Sequence, residues 1–164
     1  MRHIRRVDLA FLGLGNVGGA LLRQVLETRE TLKLRAGLNL VPVALADISG
    51  SLVVPEGIED RMLRAALRAT RDGDLLESLA GAGALPDLER VLGPGLVLSD
   101  LTASRETAGL INRGLEAGCG VVLANKIPLA DPWGEARALF EHPRLRYEVT
   151  VGAGLPVILS LIHI

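Results

Sequence analysis

The chain has 164 residues, of which 49% are hydrophobic, and its 18 basic and 19 acidic side chains leave a formal net charge of −1. A chain of this length and hydropathy is expected to form one well-buried domain rather than a disordered segment. The balanced charge gives no reason to expect nucleic acid or an anionic membrane as a partner. No apolar run reaches the roughly 18 residues that a membrane span needs.

The cysteine content and the first residues favour a protein of the cytoplasm. Cys119 is the only cysteine, so no internal disulfide can form, as is usual in a reducing compartment. The start of the chain combines basic and apolar residues as a signal peptide does, but Asp8 and the following glycines interrupt the apolar part. One cysteine and three scattered histidines also provide no metal-ligand cluster.

A strand, a glycine turn and a helix are predicted at the start of the chain. Residues 7–12 are mostly apolar, GLGNVGG follows at 13–19, and an amphipathic segment extends from Asn16 to about Lys33. A GxGxxG pattern in this setting is typical of a dinucleotide-binding βαβ unit, because its glycines allow a tight turn, close access to a pyrophosphate and close helix packing. The amides of the first helical turn would face the phosphates. A glycine-rich turn that binds nothing is the alternative.

A second buried strand is predicted over 40–46, and Asp47 stands at its end. An acid at this place can accept hydrogen bonds from the adenosine ribose hydroxyls of a dinucleotide. No arginine follows immediately to bind a 2′-phosphate, so NAD is favoured over NADP. Alternatively, Asp47 caps the turn that is predicted over 48–51.

The rest of the chain alternates between predicted helices and strands, although residues 52–95 are less informative. Helical segments are predicted at 59–71, 74–80, 87–92, 105–117 and 131–140, a loop at 81–86, and strands at 96–102, 120–126 and 144–151. Thr102 or Ser104 is available as the N-cap of the 105–117 helix, and Gly118 as its C-cap. This order predicts a Rossmann-like α/β fold, a doubly wound parallel sheet with helices on both faces. Thr102, Asn125–Lys126 and the glycine turn would share one edge, where ligands bind.

Three segments together resemble the amino-terminal half of homoserine dehydrogenase, the oxidoreductase that links aspartate semialdehyde and homoserine. They are GLGNVGG at 13–19, ANKIPLA at 124–130 and YEVTVGAGLPVI at 147–158. SDLT at 99–102 is also similar to that family's VDxT segment. The resemblance covers nearly the whole chain to Ile158 and is weakest at 52–95. The glycine motif is shared by many oxidoreductases, whereas ANK followed by YExxVGAGLP is much more specific.

The resemblance implies NAD or NADP as cofactor and assigns roles to single residues. Thr102 would line the nicotinamide half of the cofactor, and Lys126 would reach the nicotinamide and the substrate and contribute positive charge to catalysis. The pyrophosphate turn would consist of Gly13, Leu14, Gly15, Asn16, Val17 and Gly18. A monovalent cation, Na⁺ or K⁺, would bind backbone carbonyls of Glu148, Val151, Ala153 and Leu155. The alternatives are that Lys126 is an exposed residue closing a strand and that the 151–155 turn is only a hinge.

The expected domain organisation follows from the same resemblance. Residues 1–150 would form the dinucleotide-binding domain, and 151–158 a hinge into a substrate-binding and dimerisation domain that this chain lacks. The last six residues, LSLIHI, match the translation of a common sequencing adapter and are expected to be an artefactual tail. The proton donor would belong to the missing domain, so this fragment alone is expected to be inactive. Its parent would be a homodimer interconverting L-homoserine and L-aspartate 4-semialdehyde. The alternatives are a non-catalytic NAD(P)-binding or sensing module and a related dehydrogenase of another amino-acid-derived substrate.

Overall fold

A computed structural model describes residues 3–74, 76, 79 and 85–150 of the chain. The strands within these ranges are β1 (Arg5–Leu12), β2 (Leu38–Asp47), β3 (Gly50–Val53), β4 (Leu96–Asp100), β5 (Gly120–Leu123) and β6 (Leu145–Arg146). The α-helices are α1 (Asn16–Ala36), α2 (Asp60–Asp72), α3 (Ala108–Glu116) and α4 (Trp133–Phe140). Short 3₁₀ helices occupy Leu85–Val91, Ile127–Leu129 and Glu148–Thr150.

The six strands form one sheet in the order β3-β2-β1-β4-β5-β6. Every neighbouring pair is parallel except β2 and β3, which form an antiparallel hairpin. The strand order reverses at β1, because β2 and β3 lie on one side of it and β4, β5 and β6 on the other. In a doubly wound sheet this reversal opens a crevice at the carboxyl ends of the strands.

Helices cover both faces of the sheet, as the alternation along the sequence predicts. Successive residues of β1 enter opposite cores, because side chains along a strand point alternately to its two faces. One core lies between the sheet and helices α1 and α2, and its residues include Phe11, Leu22, Leu45, Leu63 and Ala66. The core on the other face lies between the sheet and α3, and its residues include Ala10, Leu98, Ile111, Leu115, Val121 and Leu123. The predicted Rossmann-like fold is therefore confirmed.

A bulge in β2 accommodates a proline inside the sheet. Leu9 of β1 pairs with Pro42, but Ala10 pairs with Ala44, so Val43 is an extra residue and joins the same core as Ala44. A proline has no N–H to donate to a strand ladder, and a bulge is one of the few places where it is tolerated. The carbonyl of Pro42 still accepts a hydrogen bond from the Ile58 amide at 2.8 Å.

Several predicted elements differ from the observed ones. β3 is not predicted, because the sequence indicates a turn over the whole of 48–51, whereas the loop of the β2–β3 hairpin is only Ile48–Ser49. The predicted strand over 144–151 is wrong beyond Arg146, since the amide and hydroxyl of Thr150 both donate to the Tyr147 carbonyl and close a 3₁₀ turn. Residue 151 and most of the predicted 74–80 helix and 81–86 loop lie outside the described residues.

The remaining boundaries shift by a few residues. α2 agrees with its prediction to within one residue at each end, and α1 extends three residues further than predicted. β4, β5, α3 and α4 are shorter than predicted because polar loops at the strand ends, and Pro132 before α4, take up the difference. Within the described ranges, no helix is long and apolar enough to cross a membrane.

Candidate functional site

A cavity of about 590 Å³ lies at the carboxyl ends of β1, β2 and β4. Its lining begins with the glycine turn after β1 and continues through the end of β2 to the loop after β4. The residues lining it include Gly13, Leu14, Gly15, Ala46, Asp47, Ile48, Leu88, Leu101, Thr102, Ser104, Thr107 and Leu110. This is the sheet edge on which the sequence places the glycine turn, Asp47 and Thr102.

The three glycines of the motif differ in what surrounds them. Gly13 has a φ of 88° and donates its amide to the Ala46 carbonyl at 2.7 Å, which fixes the turn against β2. A side chain at Gly18 would place its Cβ 1.9 Å from the Gly13 carbonyl oxygen, so α1 packs directly on the turn. Gly15 differs: apart from its own chain neighbours, no described atom lies within 4 Å of the place its Cβ would occupy. Gly13 and Gly18 shape the turn, and Gly15 leaves it open to the cavity.

The amino terminus of α1 follows directly on this opening. Gly15 is the N-cap and provides no side-chain hydrogen bond, and the first intrahelical bond runs from the Gly19 amide to the Gly15 carbonyl at 2.8 Å. The amides of residues 16–18 therefore precede the helical ladder and are available to an anion. Asn16 and Val17 are exposed, whereas Leu14, which borders the cavity, is buried in the core.

Asp47 lines the cavity and also caps the hairpin turn. Its Oδ1 atom accepts hydrogen bonds from the Ser49 amide at 2.8 Å, the Ser49 hydroxyl at 2.6 Å and the Gly50 amide at 3.2 Å. The turn-capping interpretation is therefore correct. The position of the carboxylate beside the cavity is compatible with binding the ribose. That role stays a prediction.

Thr102 is held at the cavity by Asp100, a residue that is fully buried. The amide and the hydroxyl of Thr102 both donate to Oδ1 of Asp100, at 3.1 and 2.7 Å. The expected N-cap role of Thr102 or Ser104 is wrong, because α3 begins after Thr107, which makes no side-chain cap bond. Their hydroxyls instead accept the amides of Ser104 and Glu106 in two successive tight turns.

Lys126 is exposed just after the end of β5, and it does not line the cavity. Its carbonyl accepts the amides of Leu129 and Ala130, both at 3.1 Å, and so begins the 3₁₀ helix Ile127–Leu129. No carboxylate in the described part of the chain forms an ion pair with Lys126. Its amino group is therefore available to a ligand that spans the ends of β4 and β5.

The expected cation site lies mostly outside the described residues. Glu148 is half-buried in the 3₁₀ helix Glu148–Thr150, but Val151, Ala153 and Leu155 belong to the undescribed part of the chain. Among the described residues there is also no group of three or more His, Cys, Asp or Glu side chains that could hold a metal ion.

The single cysteine is a core residue and not a nucleophile. Cys119 is buried beside α3, and its Sγ accepts a hydrogen bond from the Gly93 amide at 3.3 Å. Burial raises the pKa of the Cys119 thiol, which keeps it protonated near neutral pH.

The sequence motifs do not reveal the buried groups that hold the site together. No role for Asp100 is predicted from the sequence, although an acid at the end of an apolar strand is a usable signal. Asn125 was placed at the correct edge, but its contact with Asp100 depends on a residue 25 positions away. The ion pair between Arg113 and Glu89, which line the outer part of the cavity, had no sequence signal at all.

Comparisons with known proteins agree with this geometry. Residues 13–149 match the family model described as the NAD-binding domain of homoserine dehydrogenase. The bifunctional aspartokinase/homoserine dehydrogenase of Haemophilus influenzae is 32% identical in an alignment 169 residues long, gaps included, that covers 94% of this chain and 19% of that protein. The homoserine dehydrogenase of Mycobacterium tuberculosis is also 32% identical, and the match covers 94% of this chain and 31% of that protein.

Solved structures give the same result. A hyperthermophilic archaeal homoserine dehydrogenase in complex with NADPH superimposes with a TM-score of 0.74 at 25% identity, covering 95% of this chain and 48% of that one. A putative homoserine dehydrogenase from Archaeoglobus fulgidus gives a TM-score of 0.66 at 29% identity, with 89% and 43% covered. The chain thus spans less than half the length of each of these four relatives. It belongs to the homoserine dehydrogenase family, and residues 13–149 are the NAD-binding domain of that family.

Proposed function

We propose that the chain binds NAD or NADP in the cavity and is the cofactor-binding part of an enzyme that interconverts L-homoserine and L-aspartate 4-semialdehyde. The observation that carries this proposal is the open space at Gly15, which lines the cavity. Apart from its chain neighbours, no described atom lies within 4 Å of the position that a Cβ would take there. A pyrophosphate needs such close access to backbone amides. The NADPH complex of the archaeal relative supports the choice of ligand.

Each part of the dinucleotide has a matching wall of the cavity. The pyrophosphate would lie at Gly15 and the free amides of residues 16–18, where the helix dipole favours negative charge. The adenosine ribose would lie beside Asp47, and the adenine against the apolar side chains of Leu88 and Leu110. The nicotinamide half would extend toward Thr102 at the end of β4.

The protein's part in the reaction is to orient the reactants and to stabilise charge. NAD(P) supplies or accepts the hydride at its nicotinamide ring. Lys126 would place its ammonium group beside the oxygen of the substrate that becomes negative during reduction of the aldehyde, which lowers the energy of the transition state. Its exposure and its lack of an ion pair among the described residues leave it available for this role.

Three further proposals concern a bound cation, the oligomeric state and the compartment, and the first two rest on the family resemblance. Backbone carbonyls of Glu148 and of residues 151, 153 and 155 would hold a Na⁺ or K⁺ ion, because hard cations prefer oxygen ligands. The enzyme would act as a homodimer. The single cysteine fits a cytoplasmic enzyme, since such proteins seldom use disulfides.

Calorimetric titration with NADH and NADPH tests the proposal. The Gly15→Val substitution should abolish binding, because its side chain would fill the space that the pyrophosphate needs. The backbone at Gly15 has a negative φ of −62° and its Cβ would meet open space, so the variant should still fold, with a melting temperature lowered only modestly because valine is a poorer N-cap than glycine.

A matched control is Gly134→Val, which adds the same side chain at an exposed glycine of α4 with no described atom nearby. It should bind both dinucleotides as the unmodified chain does. Equal affinity of the Gly15→Val and unmodified chains would refute the assignment of the cavity.

A further inference from the structure

Asp100 lies at the carboxyl end of β4, and no other carboxylate whose burial the structure describes is fully buried. No described lysine, arginine or histidine forms an ion pair with it. Its charge is instead met by hydrogen-bond donors of neutral groups. A buried carboxylate held in this way is costly unless its whole set of donors is in place.

The two carboxylate oxygens of Asp100 serve different parts of the site. Oδ1 accepts the amide and the hydroxyl of Thr102, at 3.1 and 2.7 Å. Oδ2 accepts the Thr107 hydroxyl at 2.7 Å and the Asn125 side-chain amide at 3.0 Å. The backbone carbonyl of Asp100 also accepts the amides of Ala124 and Asn125, at 2.8 and 3.2 Å. The loop after β4 and the turn after β5 are therefore both attached to this residue.

Asn125 extends the attachment to the segment that carries Lys126. Its Oδ1 atom accepts the Ile127 amide at 3.1 Å, which fixes the backbone on the far side of Lys126. Its Nδ2 atom also donates to the Ser104 carbonyl at 2.7 Å, in the loop after β4. Thr102 and Lys126, which come from different strands, are thus joined through a single buried network.

We propose that Asp100 is the positioning residue of the cofactor site: its carboxylate sets the placement of Thr102 and of the Asn125–Lys126 turn together. The inference rests on the proposed function, because it takes the nicotinamide half of the cofactor to lie between these two groups. Asp100 does not line the cavity, so it acts only through the residues it holds.

The network requires a group that only accepts hydrogen bonds. At Oδ1 the Thr102 amide is a donor that cannot reverse, and at Oδ2 the Asn125 amide is fixed because its oxygen already accepts the Ile127 amide. In an Asp100→Asn variant, the new NH₂ group would face one of these donors whichever way it turned. One of the two arms of the network must therefore open.

The test compares titrations of NADH and of ADP-ribose, which lacks only the nicotinamide. We expect the unmodified chain to bind NADH more tightly than ADP-ribose. Asp100→Asn should weaken NADH binding about fivefold to tenfold, the effect of losing one well-placed hydrogen bond. It should weaken ADP-ribose binding less than about twofold, because the adenosine and pyrophosphate contacts lie elsewhere.

Arg105→Ala is the matched control. Arg105 forms an exposed ion pair with Asp131, so it also connects the loop after β4 to the segment after β5, but its side chain forms no hydrogen bond with Thr102 or Asn125. It should leave both affinities unchanged. If Asp100→Asn does not fold, Asn125→Ala replaces it. That variant releases the turn that carries Lys126 and the Ser104 carbonyl, but it keeps both hydrogen bonds from Thr102 to Asp100. It should again weaken NADH binding selectively.

Three results would overturn the inference: equal losses for both ligands, unchanged NADH binding in the two network variants, or equal affinity of the unmodified chain for NADH and ADP-ribose. Failure of the proposed function would look different, since the unmodified chain would then bind neither ligand.

Discussion

One carboxylate, that of Asp47, serves the fold and faces the cavity at the same time. Its Oδ1 atom receives three donors from Ser49 and Gly50, which fixes the hairpin between β2 and β3. The same side chain borders the cavity at the end of β2. The hydrogen bonds of the turn hold the Asp47 carboxylate beside the cavity. There its negative charge would repel the 2′-phosphate of NADP.

We therefore predict that the unmodified chain binds NAD more tightly than NADP, and that Asp47→Asn narrows the difference by about tenfold, or ~1.4 kcal/mol. Asparagine removes the charge but keeps an oxygen that can accept the three turn hydrogen bonds. Paired calorimetric titrations of NAD and NADP measure the ratio.

Asp8→Asn is a suitable control for this experiment. It removes one charge from an exposed pair with Arg6, at the middle of β1 and outside the cavity lining. The ratio of affinities should not change in that variant. Tighter binding of NADP than of NAD by the unmodified chain would contradict the prediction.

At the level of single residues, the sequence was informative where the chemistry is local. The roles of Gly13 and Gly18 follow from a pattern spanning six residues, and the structure shows the close contacts that the pattern predicts. Asp100 and Asn125 were not predictable in the same way. Their hydrogen bonds join positions 25 residues apart, so they exist only once β4 and β5 lie side by side.

At the level of elements, the packing of α1 on the glycine turn is the tightest contact of the site. The Gly13 carbonyl oxygen occupies the space of a side chain at position 18. Gly19, the next residue of the same helix, is less crowded, because its Cβ would meet the Leu14 carbonyl at an ordinary 3.4 Å.

These neighbouring glycines give a paired prediction on stability. Gly18→Ala should lower the free energy of unfolding by about 1–3 kcal/mol, because the added methyl group forces α1 away from the turn. Gly19→Ala should raise it by about 0.5–1 kcal/mol, since alanine favours a helix more than glycine does.

Urea unfolding followed by circular dichroism measures both changes on the same scale. A stabilising effect of Gly18→Ala, or equal losses in the two variants, would show that α1 does not pack this closely on the glycine turn.

The predicted elements were most accurate where the apolar pattern was long. α2 was predicted to within one residue at each end because its apolar residues recur at helical spacing over 13 positions. β3 was missed because four residues, two of them Gly50 and Ser51, are too few to show a strand pattern. The strand predicted over 144–151 was wrong beyond Arg146 because the Thr150 hydroxyl competes for a backbone carbonyl, which alternation alone does not reveal.

At the level of the whole molecule, we predict that the 164-residue chain binds NAD(P) but does not oxidise homoserine at a measurable rate. The match covers only 31% of the mycobacterial enzyme and 48% of the archaeal one. Holding a substrate against the nicotinamide can account for about 7–11 kcal/mol of a reaction barrier, and that requires groups on the substrate side of the cofactor.

The assay is homoserine-dependent reduction of NAD or NADP, followed at the absorbance of the reduced nicotinamide. A chain extended with the remaining part of a family member serves as the positive control, and in it Lys126→Ala should lower kcat more than it weakens cofactor binding. Robust turnover by the 164-residue chain would contradict the prediction.

The central position of β1 also matters while the chain is being synthesised. Asp8 pairs with Val41 on one side and with Leu96 on the other, so the second partner leaves the ribosome much later than the first. At about 5–20 residues per second, this delay lasts roughly 3–11 s. Until β4 arrives, the apolar β1 keeps one open edge that can pair with other unfinished chains. A chaperone that covers this edge would act on the nascent chain before the cofactor site exists.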